Sequence, residues 1–168
     1  MTRRMFVTVG TDHHPFERLI TWAENWAARV EDWEVQVQHG RTRAPRHGIG
    51  FDFCDHDRLQ ELFETSDVIV THGGPATITE ARRLGHRPIV VPRDPTLGEH
   101  VDNHQQLFSR RLGAAGVVEL VENEEDFLAA VVAMSYLPRQ RQVSEEIPPG
   151  VFRVGAVVER LAHRQRRH

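Results

Sequence analysis

Asp67-Val-Ile-Val-Thr-His-Gly-Gly-Pro-Ala-Thr-Ile-Thr-Glu80 is the stretch that decides the fold. Its apolar run Val68 to Val70 has the character of a strand buried on both faces. Gly73 and Gly74 break the run. Pro75 then fits the first turn of a helix, where its missing N–H would be unpaired anyway. Strand, glycine turn and helix make half of a β-α unit, and the same unit recurs on either side. Short apolar runs at 5–9, 34–38, 50–53, 67–71, 88–91 and 117–120 predict strands. Stretches of helical spacing at 16–30, 57–65, 75–84, 99–112 and 124–136 predict helices. Such alternation predicts an α/β fold, a Rossmann-like parallel sheet flanked by helices on both faces. A polar loop is expected at 137–150 and a last helix at 151–164, with Val151, Val154, Val157, Val158 and Leu161 on its apolar side. Arg160, Arg164, Arg166 and Arg167 near that end either touch anionic lipid or form a frayed basic tail. There is no internal repeat, and a single domain over 1–168 is expected.

Composition narrows the chemistry. The formal net charge is -3, so no basic footprint points to nucleic acid. All 21 residues counted as Lys and Arg are Arg, which excludes a lysine Schiff base or a phosphate-loop lysine. Cys54 is the only cysteine, so no internal disulfide can form, and a reducing cytoplasm is the expected setting. No run approaches the roughly 20 apolar residues of a membrane span. Any membrane contact is therefore expected to be indirect or peripheral.

In open α/β sheets ligands sit beyond the carboxyl ends of the strands, so the loops there carry the chemistry. Gly73 and Gly74 allow close approach of a phosphate, and the free N–H groups of the following helix favour an anion. Thr77 adds a hydroxyl, and Glu80 a carboxylate suited to the two hydroxyls of a ribose. The plainer alternative is an ordinary strand-to-helix turn with a solvated Glu80. After the next strand, Glu99, His100, Asp102, Asn103, His104 and Gln105 crowd seven positions. That density suits sugar hydroxyls; the alternative is a polar helix start. His100 and His104 at i and i+4 are a conceivable metal pair, but no third ligand is evident and no metal is expected. In Val7-Thr-Val-Gly-Thr-Asp-His-His-Pro-Phe16, Gly10 and Thr11 form a tight loop facing phosphate or sugar. Asp12, His13 and His14 either include an acid or base or form a polar turn in which Asp12 caps the helix.

Taken in order, these segments resemble the donor-binding C-terminal domain of the GT-B glycosyltransferases of family 28 type. The resemblance rests on Phe6-Val-Thr-Val-Gly-Thr11, Pro15-Phe16, Arg18-Leu19, Ser66 to Gly74, Glu80-Ala81, Val91-Pro-Arg93 and Gly98-Glu-His-Val-Asp-Asn-His-Gln105. It is strongest with the small stand-alone subunits of dolichol-linked and exopolysaccharide UDP-sugar transferases. The resemblance implies that His72, Gly73, Gly74 and Thr77 hold a diphosphate and that Glu80 holds the ribose. It implies that Glu99, His100, Asn103 and Gln105 meet the sugar or neighbouring phosphate, with Gly10 and Thr11 lining that side. The base would lie against residues 51–54. The catalytic group is left open among Thr11, His13 and His14. The implied activity is transfer of a hexose or N-acetylhexosamine from a UDP-sugar, without cofactor, to an acceptor that is expected to be lipid-linked. The implied partner is a membrane-associated subunit bearing the acceptor half, and self-association is also compatible. The alternatives are a non-catalytic nucleotide-sugar-binding regulatory module and an unrelated metal-dependent α/β hydrolase.

Overall fold

The computed structural model describes residues 1–139. The helix expected at 151–164 and most of the loop before it lie outside them. Six parallel strands form one sheet: β1 (Arg3–Thr8), β2 (Trp33–Gln38), β3 (Ile49–Phe51), β4 (Val68–Thr71), β5 (Ile89–Val90) and β6 (Glu119–Leu120). Their order is β3-β2-β1-β4-β5-β6. Among the described residues five helices accompany them: α1 (Glu17–Ala27), α2 (His56–Thr65), α3 (Pro75–Arg83), α4 (His104–Ala114) and α5 (Glu124–Ser135). The fold is the Rossmann-like α/β sheet that the alternation predicts.

Alternating side chains of the central strands divide the core. Met5 and Val7 of β1 point with Val35, Val37, Val68, Val70 and Ile89 toward Leu19, Ile20 and Ala23 of α1 and Phe127 and Val131 of α5. Phe6 and Ile69 point the other way, onto Leu62 and Phe63 of α2 and Ala81 of α3. Val90 continues that second layer against Ile78 of α3 and Leu112 of α4. All four residues of β4 are buried, which is why its sequence is a continuous apolar run rather than an alternation. Each such side chain contributes about 1.5–3 kcal/mol of burial.

One connection, expected as a loop, is unusual for a parallel sheet, and two features depart from expectation. Parallel strands need a covered crossover, yet β2 and β3 are joined without a helix. Residues 39–48 are instead tied to α1 through Arg43, whose guanidinium donates to both Glu24 carboxylate oxygens at 2.7 and 2.8 Å and to Glu17 at 2.8 Å. Further on, the helix expected from residue 99 begins only at His104. Pro92, Pro95 and Gly98 (φ 72°) route the chain through a short 3-10 turn, Pro95–Leu97. Glu99 is drawn inward and its N–H bonds Asp94 O at 3.2 Å, so residues 99–103 form a loop lying over the sheet rim. Asp12 also does not cap α1. The helix follows Phe16 without a side-chain cap, and the Phe16 N–H is met by Thr42 Oγ1 at 3.0 Å.

The register places Gln38, Thr8, Thr71 and Val90 in one row across β2, β1, β4 and β5. The loops after these strands therefore share one rim. Chain order reverses between β1 and β4, the switch point at which ligands settle in such sheets.

Candidate functional site

The rim is centred on the start of α3. Gly74 stands at its N-cap (φ −77°, ψ 127°), Pro75 follows, and no side chain caps the helix or places an acid in its first turn. α1 and α4 also start without a side-chain cap, whereas two other helices are capped. Asp55 caps α2 and Asn123 caps α5. The first N–H groups of α3 and the positive end of its dipole thus remain available to an anion.

His72 is wedged beside this helix tip. A Cβ on Gly10 or on Gly74 would overlap its ring. Glycine is required at both positions because the imidazole fills the space a side chain would need, and Gly10 also has φ 75°. The Nε2–Cε1 edge of the ring thus lies against both the β1 loop and the α3 tip. Burial, aided by the charge of Arg93, lowers the His72 pKa to about 3, against weaker opposing pulls from Gln105 and Asp12. The ring is neutral at any ordinary pH. Gly73 has a different neighbour: a Cβ there would meet Ser109 Oγ at 2.7 Å and Gln105 Cβ at 2.9 Å. Its N–H donates to Gln105 Oε1 at 3.2 Å, which also accepts from the Arg93 N–H at 3.3 Å. Gln105 of α4 thereby ties the ends of β4 and β5 together.

Four buried polar atoms around these strand ends have no hydrogen-bond partner among the described residues: Thr71 Oγ1, His72 Nδ1, Ser109 Oγ and Arg93 Nε. Buried polar groups are ordinarily satisfied. Such a concentration beside an uncapped helix marks a place that a polar ligand or water completes.

Arg93 is the largest fully buried side chain among the described residues. Its guanidinium donates to Val9 O at 2.7 Å, His14 O at 2.8 Å and Glu99 O at 2.9 Å, and lies 4.8 Å from the centre of the Phe16 ring. Desolvation lowers its pKa, while Asp12 and Glu99 work to raise it. Its bonds lock the β1 loop to the β5 loop. Glu99 is 3% exposed. Its carboxylate accepts from Arg18 Nε at 3.0 Å, Arg18 Nη2 at 2.8 Å and the Asp94 N–H at 2.8 Å. The acid that the sequence suggests for sugar binding is thus occupied in clasping its loop to α1.

Asp12, His14 and His100 meet at the mouth. Asp12 Oδ1 accepts the His14 N–H at 2.8 Å and lies 2.5 Å from His14 Nδ1. His100 Nε2 is 3.6 Å from Asp12 Oδ2, and its Nδ1 is 3.4 Å from Asp102 Oδ1. Burial lowers the His100 pKa, against the pull of Asp12 and Asp102. His104 pairs with the same Asp102 oxygen at 2.8 Å. His100 and His104 do not share a helix face, because only the second lies in α4. The ligand atoms of Asp12, His13 and His14 all lie within 4.8 Å of one another. Two donors on one zinc ion would stand about 3.3 Å apart; the 2.5 Å approach of Asp12 and His14 is that of a hydrogen-bonded pair.

Glu80 is half-buried and accepts a hydrogen bond from Gln60 of α2. It therefore belongs to the α2–α3 side of the rim, whereas Glu99 belongs to the α1 side. Thr77 is half-buried, while Thr11, His13 and Asn103 are exposed. Phe51 O and Asp52 O, near the expected base position, already accept from the N–H groups of His39 and Gly40 at 2.9 and 3.1 Å. Sequence reasoning did not assign site roles to Arg18 and Arg93. Their signal is faint: an arginine in an amphipathic helix, and one after Pro92, both resemble surface charges.

The model of the glycosyltransferase family 28 C-terminal domain matches residues 4–148. The chain is 31% identical over 118 residues to the UDP-N-acetylglucosamine transferase subunit ALG13 of Eremothecium gossypii, a match covering 69% of this chain and 53% of that protein. The chain thus spans about half the length of that relative. Among solved structures it resembles Acinetobacter baumannii MurG, with a TM-score of 0.63 at 14% identity over 95% of this chain and 52% of that one. It also resembles the solution structure of ALG13, with a TM-score of 0.55 at 18% identity over 91% of this chain and 94% of that one. At these identities the structural likeness establishes the fold.

Proposed function

Because the chain belongs to the glycosyltransferase family 28 C-terminal domain family, we propose that it is the donor-binding subunit of a UDP-sugar glycosyltransferase, working with a second protein that supplies the acceptor half. One observation carries the reading: α3 begins uncapped beside four unsatisfied buried polar atoms at the sheet's switch point. A diphosphate supplies what those groups lack. Its oxygens accept from the first N–H groups of α3, and the helix dipole stabilises the charge that grows as the diphosphate leaves. Neutral His72 directs a ring nitrogen to the same place without a fixed charge. Glu80, steadied by Gln60, receives the ribose hydroxyls. His100, Asn103 and Gln105 face the sugar side, and Gly10 and Thr11 line the opposite wall. Glu99 shapes the site through Arg18 rather than by touching ligand.

The transferred group is a hexose or N-acetylhexosamine, in keeping with ALG13 being a UDP-N-acetylglucosamine transferase subunit. The reaction uses no cofactor; donor and acceptor positioned across a cleft between two proteins supply much of the acceleration. No helix among the described residues is long and apolar enough to cross a membrane. The acceptor is lipid-linked in this reading, and the second protein makes the membrane contact.

Calorimetric titration of UDP into the pure chain tests the core of the proposal. Binding is expected, and Glu80→Ala should weaken it about 10-fold or more, the loss of hydrogen bonds to a charged group. An absence of UDP binding at millimolar concentration sinks the proposal; unchanged affinity in the variant removes Glu80 from the ribose. UDP release with and without the second protein separates a catalytic subunit from a regulatory module.

A further inference from the structure

Resting on the donor-binding reading, we infer that His100 is an acid-sensitive latch on the sugar side of the site: the neutral ring holds residues 100–103 in place, and on taking up a proton it loses a partner and releases them. The segment is short and fixed at both ends. Before it, the Glu99 carboxylate is pinned by Arg18 Nε and Nη2 at 3.0 and 2.8 Å and by the Asp94 N–H at 2.8 Å. After it, Gln105 Oε1 holds the Gly73 and Arg93 N–H groups at 3.2 and 3.3 Å. Between these posts Val101 is 61% exposed and Asn103 is exposed, so neither packs the segment down. His100, with a side chain only 12% exposed, is the residue that faces inward.

The contacts of the ring define its neutral form. The Asp102 N–H donates to His100 Nδ1 at 3.4 Å. Nδ1 is therefore the bare nitrogen, and Nε2 carries the hydrogen and faces Asp12 Oδ2 at 3.6 Å. A second proton can only go to Nδ1. That nitrogen then meets the Asp102 N–H donor to donor, and the contact breaks. The Asp102 carboxylate stands 3.4 Å from the same nitrogen, but its Oδ1 already takes the His104 N–H at 3.0 Å and pairs with the His104 ring at 2.8 Å. A charged His100 thus competes for the oxygen that steadies the start of α4.

The surroundings oppose charging the ring where it stands. Facing it are Asp12 and His14 from the β1 loop, Arg93 after β5 and Asp102 on its own loop, with His72 at the end of β4. Burial, joined by Arg93 and His14, outweighs the pull of Asp12 and Asp102 and holds the His100 pKa below its ordinary 6.5. Arg93 cannot give way, because three backbone carbonyls hold its guanidinium. The part free to move is 100–103. A ring that binds its proton more weakly when held than when released shifts the balance toward release as pH falls below 6.5, by at most about tenfold per pH unit. The effect falls on the sugar, since His100 and Asn103 face that side in the donor reading, while the α3 tip and Glu80 belong to other elements.

Two measurements on the full chain decide the matter. In a pH titration followed by NMR, the His100 ring should titrate below 6.5, and the amides of Asp102, Asn103 and His104 should shift with the same midpoint. His100→Gln, which keeps an acceptor for the Asp102 N–H, should abolish that shared transition. A ring that titrates at or above 6.5, or amides that ignore its midpoint, overturns the latch, and this wild-type result stands whether or not the variant folds. Calorimetry with UDP-N-acetylglucosamine at pH 7.5 and pH 5.5 tests the consequence. The wild type should lose about 3- to 10-fold more affinity over that range than His100→Gln does. An equal loss in the two proteins overturns the control of the sugar side. If the wild type binds neither this donor nor UDP at pH 7.5, the donor-binding reading falls instead, and the NMR titration alone judges the latch.

Discussion

His72 should make the protein acid-sensitive in a way that one substitution reveals. The folded ring has a pKa of about 3, against an ordinary value of 6.5. Between those values the unfolded chain binds a proton at this position and the folded chain does not. Protons therefore favour unfolding: the stability is complete above about pH 6.5 and is lost as pH falls from there toward 3. One group contributes about 1.4 kcal/mol per pH unit in that window. Allowing for the curvature near its upper edge, His72 alone accounts for about 2 kcal/mol of lost stability between pH 7.5 and pH 5. His86 and His100 are also shifted downward by burial, so the total loss is larger. Comparing the wild type with His72→Gln isolates the one ring. Urea unfolding of both proteins at pH 7.5 and pH 5 gives four free energies. The packing change in the variant enters both pH values equally and cancels in the difference. The acid-induced loss should be about 2 kcal/mol smaller in His72→Gln. An equal loss in the two proteins would mean that the ring titrates normally, and the wedge between Gly10 and Gly74 would then be wrong.

Arg93→Met should destabilise the fold by about 2–4 kcal/mol. Three buried carbonyls lose their donor at about 1–3 kcal/mol each, and the relief of a buried guanidinium offsets part of the loss. Denaturant unfolding checks this, and a change below about 0.5 kcal/mol contradicts the strut. Glu24 provides a second acid limb. Its hydrogen bonds with Arg43 hold its pKa at about 2, against 4.5, so its contribution is present above pH 4.5 and is lost as pH falls toward 2. The shift sets a ceiling of about 3 kcal/mol. Because Arg43 is one-third exposed, about 2 kcal/mol is the working figure. Glu24→Gln should flatten unfolding curves recorded from pH 5 down to pH 2.5; an unaltered acid limb would show the Arg43 tie to be solvated and weak.

Element order and fold class were legible because they depend on local periodicity. The run Val68 to Val70 can only be a strand covered on both faces, and Leu19, Ile20 and Ala23 recur at helical spacing whatever lies around them. The glycines were legible as necessary, but not what they accommodate. Gly10 and Gly74 are far apart in sequence, and the ring that fills the space between them belongs to His72, which propensity treats as an ordinary polar residue. Glu99 shows the same limit. A helix start from residue 99 is a fair reading of its neighbours, yet its carboxylate is claimed by Arg18, 81 positions away. Long-range ion pairs leave no periodic trace. They can also override local preference, which is why α4 begins five residues later than its pattern suggests. The Arg43–Glu24 tie is hidden likewise: it substitutes for a crossover helix that residues 39–48 lack.

The mismatches are unevenly spread, and their distribution bears on function. Away from the rim, expected and observed elements differ mainly by a residue or two at their ends, as fraying allows. At the rim, a helix lacks its cap, two glycines are required by one buried ring, and four buried polar atoms lie close together without a hydrogen-bond partner among the described residues. Serine or aspartate before Pro75 would cap α3 for about 1 kcal/mol, but a side chain there would overlap the His72 ring. Keeping glycine there leaves those N–H groups for something else. Local rules are broken together at one place, and functional sites are where such breaks are expected. The uncapped tip of α3 and the orphaned atoms around it are therefore complementary halves of a single polar ligand's environment.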